Sequence, residues 1–343
     1  MGKVKVAVAG YGTVGQRLAY AVTLQEDMEL AGVADIAPTL PVRAMHEDGM
    51  PYALYLGEGG NPSKFAEYGI PVAGTMDELL DEADIVLDAT PRGAGARNRK
   101  LYERKGIKAI FQGGERNSVA EALFHSGANY GACVGLSYLK ITSCSTTGLV
   151  RAADCLDAAF GLEKLSFTII RCAADPGDYH RGLTNALQLE KAPPHQATDL
   201  MTLMPHIKAS GLLVYTPVTH GNIITVMASG RRKIRRDEAV EALRAHPRVR
   251  VVSIEQGFKG NASLYKYARD VGRRRGDMYE VALWRDSVAE SGNDVLFALH
   301  IPQESVIIPE TIDAVRAAMG MQTDSAKAAA ATDRYLKDGR PGR

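Results

Sequence analysis

The run Gly10-Tyr11-Gly12-Thr13-Val14-Gly15 constrains the fold more than any other part of the chain. Val4, Val6 and Val8 alternate with Lys5 and Ala7 before it, and Leu18, Ala21 and Val22 recur at helical spacing after it. A G-x-G-x-x-G sequence between a strand and a helix is the phosphate-binding turn of a βαβ unit. Gly10 permits the tight turn, Gly12 lets a pyrophosphate approach the backbone, and Gly15 lets helix and strand pack closely. The helix N-terminus, with Tyr11, Thr13 and Val14 in the turn, offers N–H donors to the phosphates. A second strand over 29–34 ends at Asp35, where a carboxylate accepts hydrogen bonds from ribose hydroxyls and repels a 2′-phosphate. The cofactor expected is NAD, with NADP as the second choice. The competing reading is a glycine-rich turn that only joins two elements.

More α/β units follow. Thr75, with Glu78 three residues on, caps a helix over 75–82. Apolar strands over 83–89 and 108–111 open into Thr90-Pro91-Arg92-Gly93 and Gln112-Gly113-Gly114-Glu115, with a helix over 98–105 between them. Strand ends opening into such loops form the carboxyl edge of a parallel sheet, where ligands bind. Thr90, Pro91 and Gly113 therefore join the candidate cofactor residues.

Near the middle, the β-branched run 139–143 predicts a strand that delivers Cys144 to its end. Leu149, Val150, Ala153, Leu156 and Ala159-Phe160 predict a helix after it. Unpaired N–H groups and the helix dipole at such a junction favour a thiolate, the form that attacks electrophiles. The competing reading is a cysteine that packs as a small apolar residue. Beyond it, the segments 165–171, 212–215, 223–228, 249–254, 278–284 and 294–300 are longer and more alternating, which suits an antiparallel sheet with one covered face. The helix over 309–319, with proline in its first turn, is expected to return to the first domain.

The fold class is thus α/β: a Rossmann-type dinucleotide-binding domain over 1–139 plus 302–343, and an α+β catalytic domain over 140–301 with a mostly antiparallel sheet. A formal net charge of +1 over 343 residues argues against nucleic-acid binding through a large basic surface. No segment reaches the length of a membrane span, and the N-terminus runs straight into a strand, so a cytoplasmic protein with free thiols is expected. The four cysteines show no zinc spacing, and no metal is expected.

With these residues in place, the chain resembles the archaeal-type (class II) glyceraldehyde-3-phosphate dehydrogenases. The stretches VKVAVAGYGTVGQRLAYAV, DELLDEADIVLDATPRGAGARN, KAIFQGGE, SCSTTGLVR, RCAADPGD and QESVIIPETIDAVRA carry the resemblance from end to end. It implies a phosphorylating, NAD(P)-dependent aldehyde dehydrogenase of glycolysis, assembled as a homotetramer. Cys144 falls on the nucleophile, which forms a thiohemiacetal and then a thioester cleaved by inorganic phosphate. His220 stands about where the family carries its catalytic histidine. Ser143, Ser145, Thr146 and Thr147, around the cysteine, are candidates for binding substrate and phosphate, the two threonines through hydroxyl and backbone donors; Arg171 matches an anion-binding arginine, with His195 and Arg181 as weaker phosphate candidates. Gln303 is carried over to the cofactor site.

Several positions depart from the family pattern. Ser145 stands where asparagine is usual, Arg171-Cys172 replaces two arginines, and Pro194-His195-Gln196 replaces a His-His pair. The segment before the strand over 223–228 reads Thr219-His220-Gly221-Asn222, and Ala34-Asp35-Ile36 lacks a lysine suited to a 2′-phosphate. Fewer cations at the phosphate sites leave open a relative acting on another aldehyde, or a non-catalytic nucleotide-binding protein. A sugar-dehydrogenase-type enzyme fits less well, because its Glu-Lys-Pro loop is absent and Cys144 would have no task.

Overall fold

A computed structural model of the chain describes residues 2–172 and 186–338. The chain divides into two compact units, Met1–Ile141 with Ile308–Arg343, and Thr142–Ile307.

The first unit carries an eight-stranded sheet in which every pair is parallel. Its order is Gly74–Thr75, Leu54–Leu56, Met28–Asp35, Val4–Ala9, Ile85–Asp88, Lys108–Phe111, Tyr138–Ile141 and Ala122–Phe124. Val6, Ala7 and Val8 are wholly buried because helices cover both faces of the central strands. The chain travels outward from Val4–Ala9 to one edge, then returns to its other side at Ile85–Asp88. That reversal opens a crevice at the carboxyl ends of these two strands, the usual ligand position in such sheets. The helix Ile308–Ala318 is buried along its whole length in this unit. Its Arg316 donates to Asp27, Gln25 and Thr332 at 2.6 to 2.9 Å.

The second unit is a mixed, mostly antiparallel sheet. Its order is Gln188–Leu189, Lys208–Thr216, Leu162–Cys172, Asn222–Gly230, Asp294–Ile301, Val281–Trp284 and Val249–Val252. Lys208–Thr216 runs parallel to Leu162–Cys172, and Val249–Val252 parallel to Val281–Trp284; the other pairs are antiparallel. The helix Cys144–Phe160 lies on one face, flanked by His195–Leu203 and Arg236–Arg244. Leu264 and Ala268 of the helix Asn261–Asp270 pack with Ala282, Trp284, Ile223 and Ala298. Residues alternate sides along a strand, so Ile224, Leu299 and Ile301 face the opposite way from this cluster. Among the described residues, no helix is long and apolar enough to cross a membrane.

Two features fix the helix Cys144–Phe160. A Cβ on Gly148 would stand 2.2 Å from Ile301 Cδ1, so the missing side chain lets helix and strand approach closely. One turn later, the fully buried Arg151 donates to the carbonyls of Tyr279 and Val306, each at 2.9 Å, and of Arg248 at 3.4 Å. Buried carbonyls deprived of such a donor cost about 1–3 kcal/mol each. Arg151→Met keeps the apolar stem and removes the donors, and is expected to destabilise this unit by about 3 kcal/mol. Denaturant unfolding followed through the single Trp284 measures the loss; an unchanged midpoint would refute it.

Candidate active site

In the first unit, Gly10 has φ +84° and donates its N–H to Ala34 O at 2.8 Å. A Cβ on Gly15 would lie 1.8 Å from Gly10 O, so only glycine permits this packing of helix on turn. A Cβ on Gly12 would meet nothing within 4 Å, which leaves open space beside the backbone. Among the described residues the amides of Gly12, Thr13 and Val14 have no protein acceptor. Unfilled space beside unpaired donors fits a dinucleotide pyrophosphate.

Asp35 ties the neighbouring loop together. One carboxylate oxygen accepts Tyr11 N–H at 2.8 Å, and the other accepts Ile36 N–H at 2.7 Å and Ala37 N–H at 3.3 Å. The Tyr11 amide therefore points to Asp35, and its ring is buried edge-on against Tyr52. The contribution of Tyr11 is to shape the turn from within.

The opposite wall is built in the same way. Buried Asp88 accepts Thr90 N–H at 3.0 Å and the Thr90 hydroxyl, with Asn98 and Tyr102 completing its shell at 3.0 and 2.7 Å. Burial, with the Asp88 charge beside it, pushes the Tyr102 phenol well above its ordinary range. Exposed Pro91 continues this loop. Glu115, two residues past Gly113, accepts Gly93 N–H at 2.6 Å and Gly95 N–H at 3.0 Å, joining the two loops. Each loop is thus tied by a carboxylate on backbone N–H groups.

In the second unit, Cys144 is the first helical residue and partly exposed. Ser143 caps the helix: its Oγ accepts Thr146 N–H at 3.3 Å and pairs with Thr146 Oγ1 at 2.8 Å. Thr147 Oγ1 pairs with Thr142 Oγ1 at 2.8 Å, and Thr146 and Thr147 are completely buried. The two threonine hydroxyls, expected to donate to phosphate, are instead engaged inside the first turn.

Asn222, completely buried at the start of Asn222–Gly230, brings its side chain to the sulfur. Its Nδ2 lies 3.7 Å from Cys144 Sγ and 3.2 Å from Ser145 Oγ, and its Oδ1 accepts Cys172 N–H at 2.9 Å. Cys172 Sγ in turn lies 2.8 Å from Gln303 Oε1, so Gln303 sits in this unit beside a thiol. His220 is exposed, 3.2 Å from Thr219 Oγ1 and edge-on to Tyr265; it makes no hydrogen bond to Cys144. His300, wholly buried, stands edge-on to Tyr265 and Trp284. Burial lowers its pKa to about 3, opposed by the Asn222 backbone and reinforced by nearby His220, so the ring is neutral.

Arg171 lies over the Tyr215 ring at 5.4 Å and has no carboxylate partner among the described residues. His195 is exposed at the first position of His195–Leu203, while Gln196 beside it is buried. Arg181 lies outside the described residues. Burial pushes the Cys133 thiol up to about 11 and the Cys155 thiol up to about 12, the latter helped by Asp154. Those two thiols are poor nucleophiles, and Cys172 is buried. Among the described residues, no group of His, Cys, Asp and Glu could hold a metal ion.

Asn222 and His300 were not singled out from the sequence. The signal for Asn222 was its phase: it shares the alternation of buried Ile224, Val226 and Ala228, a polar residue on a core-facing row.

Residues 143–287 match the model of the glyceraldehyde 3-phosphate dehydrogenase C-terminal domain, and residues 4–114 that of the dihydrodipicolinate reductase N-terminus. Curated relatives match almost end to end. Glyceraldehyde-3-phosphate dehydrogenase 2 of Methanosarcina acetivorans is 37% identical over 338 residues, covering 98% of this chain and 99% of the relative. The glyceraldehyde-3-phosphate dehydrogenase of Methanothermus fervidus is 38% identical, covering 96% and 98%. That of Pyrococcus furiosus is 39% identical, covering 92% and 93%.

The arrangement predicts that cofactor binding and thiol chemistry are separable. Gly15→Ala is expected to weaken dinucleotide binding roughly tenfold or more, because the added Cβ must displace backbone. Alkylation of Cys144 by iodoacetamide should be unchanged. Calorimetric titration and mass spectrometry measure the two; parallel loss of both would contradict the separation.

Proposed function

The chain belongs to the archaeal-type glyceraldehyde-3-phosphate dehydrogenase family, and on that premise we propose that it oxidises D-glyceraldehyde 3-phosphate to 1,3-bisphosphoglycerate. Inorganic phosphate is the second substrate, NAD+ the preferred oxidant and Cys144 the nucleophile. The observation that carries this reading is a partly exposed cysteine at a helix N-terminus with a buried amide donor aimed at its sulfur.

The Cys144 sulfur lone pair forms a bond to the aldehyde carbon, the carbonyl π electrons move to oxygen, and the proton given up by the thiol ends on that oxygen, giving a thiohemiacetal. A bound NAD+, held by the glycine turn, would supply the hydride acceptor that oxidation of this carbon requires. Loss of the hydroxyl proton completes the thioester. A phosphate oxygen then attacks the thioester carbon, and Cys144 departs as thiolate with the C–S electron pair.

His220 takes the hydroxyl proton in this reading. Of the two imidazoles beside Gly221, it is the exposed one, whereas His300 is sealed and neutral. Hydrogen bonds of a general base commonly shorten only when substrate is present. Arg171 supplies the cation for a phosphate group, since no carboxylate among the described residues competes for it, and His195 is a second candidate. Ser143 and Ser145 hold the ends of the nucleophile turn.

Gly12, Thr13 and Val14 present N–H groups to the pyrophosphate, and Thr90, Pro91 and Gly113 form the opposite wall. Asp35 sets the preference for NAD+, because its carboxylate repels a 2′-phosphate. A cytoplasmic homotetramer is the assembly and setting that accompany this function; light scattering of the purified protein tests the subunit count.

The experiment is a panel of aldehydes with NAD+ or NADP+, each with and without inorganic phosphate. Reduced cofactor should form with D-glyceraldehyde 3-phosphate only when phosphate is present, and Cys144→Ser should bring the rate to background. Turnover independent of phosphate would overturn the phosphorylating assignment. Asp35→Asn removes the charge at nearly constant volume and keeps one of the two acceptor oxygens, so NAD+ binding is measured beside the cofactor ratio to separate loss of the clasp from loss of charge. The variant should lower the NAD+/NADP+ ratio of kcat/KM about tenfold, equivalent to about 1.4 kcal/mol. An unchanged ratio would mean that Asp35 does not discriminate.

A further inference from the structure

We propose that Asn222 is a catalytic residue of the Cys144 site, its side-chain N–H holding negative charge on the sulfur and then on the oxygen that the sulfur's attack creates. This rests on the reading of Cys144 as nucleophile and adds to it the group that stabilises the charge.

The amide is oriented by what surrounds it. Oδ1 accepts Cys172 N–H at 2.9 Å, so the carbonyl end is fixed and the two hydrogens on Nδ2 face the helix start. One serves Ser145 Oγ at 3.2 Å; Cys144 Sγ lies at 3.7 Å, within N–H···S reach. Flipping the amide would set its NH₂ against the Cys172 N–H, a donor–donor clash, and would put its oxygen against the charge of a thiolate. A thiol sulfur is a weak acceptor and a thiolate a strong one. The bond to Cys144 is therefore the amide's weakest in the resting thiol and gains most when charge appears. A preorganised donor that strengthens as charge develops is what lowers a barrier.

The core, rather than a loop, sets this geometry. Asn222 pairs with Ile301 across the sheet, and the same Ile301 fills the space above Gly148 in the helix that carries Cys144. Gly221, at φ +80°, makes the turn into the strand; a Cβ there would lie 2.6 Å from Ile301 O and 2.8 Å from His300 Cε1. Thiol and amide are thus both referenced to one buried side chain.

Among the described residues, the titratable side chains that end or adjoin this strand are engaged in contacts of their own. Arg171 and Cys172 end the adjoining strand, with the guanidinium over Tyr215 and the thiol on Gln303. His220 packs on Tyr265, and His300 stays neutral across the working range. An amide does not ionise, so its support of the thiolate is constant with pH. When Cys144 attacks, the sulfur lone pair forms the C–S bond and the carbonyl π pair moves to oxygen. No bond to Asn222 forms or breaks.

The test is the pH dependence of iodoacetamide alkylation at Cys144 in the full-length protein, read by mass spectrometry. Asn222→Asp keeps an acceptor for Cys172 N–H and nearly the same volume, but replaces the donor with a carboxylate. Its ionisation midpoint should move upward, and its alkylation rate at pH 7 should fall roughly tenfold or more. Asn222→Ala, which removes the donor without adding charge, should fall between wild type and the aspartate. A folded Asn222→Asp protein with the wild-type profile would overturn the proposal, as would an aspartate variant at least as reactive as the alanine one. If wild-type Cys144 alkylates no faster than an ordinary free thiol, the nucleophile reading itself fails, and this proposal with it.

Discussion

The catalytic unit depends on how closely the helix Cys144–Phe160 approaches the strand Asp294–Ile301. Gly148 has no side chain and Ile301 occupies the place where one would begin, so the helix lies nearer the sheet than a larger residue would allow. Closeness has a polar consequence. Ser145, Thr146 and Thr147 are pressed into the interior, and their hydroxyls must find partners there. Ser143, Thr142 and Asn222 supply them. The polar residues around the cysteine, which look in sequence like a ligand-binding run, are first of all the solution to a burial problem. What remains directed outward is the partly exposed thiol.

The nucleotide-binding unit uses glycine and carboxylate differently. Gly15 is needed for packing and Gly12 for open space, two requirements that a single motif satisfies. Around that space, Asp35, Asp88 and Glu115 each hold a loop by accepting backbone N–H groups. A charge-assisted bond of this kind is worth roughly 1.5–3 kcal/mol, enough to hold a loop near one conformation before any ligand arrives. Preorganisation of this sort reduces what binding must spend on ordering. Asp35 is first of all a structural clasp that uses both carboxylate oxygens, so any substitution there also acts on the loop.

The parts legible in the sequence are those encoded by neighbours. The glycine turn, Asp35 at the end of its strand, the capping box at Thr75 and Glu78, and Cys144 ahead of an amphipathic helix all depend on residues a few positions apart. The strand Lys108–Phe111 was readable to the residue, because its apolar run ends at a Gly-Gly turn. The helices Leu40–Glu47, His195–Leu203 and Asn261–Asp270 were not, since short amphipathic segments carry a weak signal. Least legible was the environment of the sulfur. Asn222 is 78 residues from Cys144, and Gln303 is 131 from Cys172. Such contacts exist only through the sheet register, which one sequence does not print. His220 drew attention because histidine has a chemical reputation; Asn222, two residues on, did not.

That two-residue difference divides the chemistry physically. A protonated His300 would be a buried cation facing Tyr265 and Trp284, with His220 nearby adding repulsion, so the ring stays neutral and serves as packing. His220 is exposed on the turn, edge-on to Tyr265. The group that meets the sulfur is thus a non-titrating amide locked in the core, whereas the exposed imidazole stands on the surface turn. Gly221 separates the two, and its positive φ lets the backbone leave the surface turn and enter the strand in a single residue. Beyond that turn, Asn222 pairs with Ile301, the residue whose side chain stands against Gly148 in the helix that carries the cysteine, so amide and thiol share one buried neighbour.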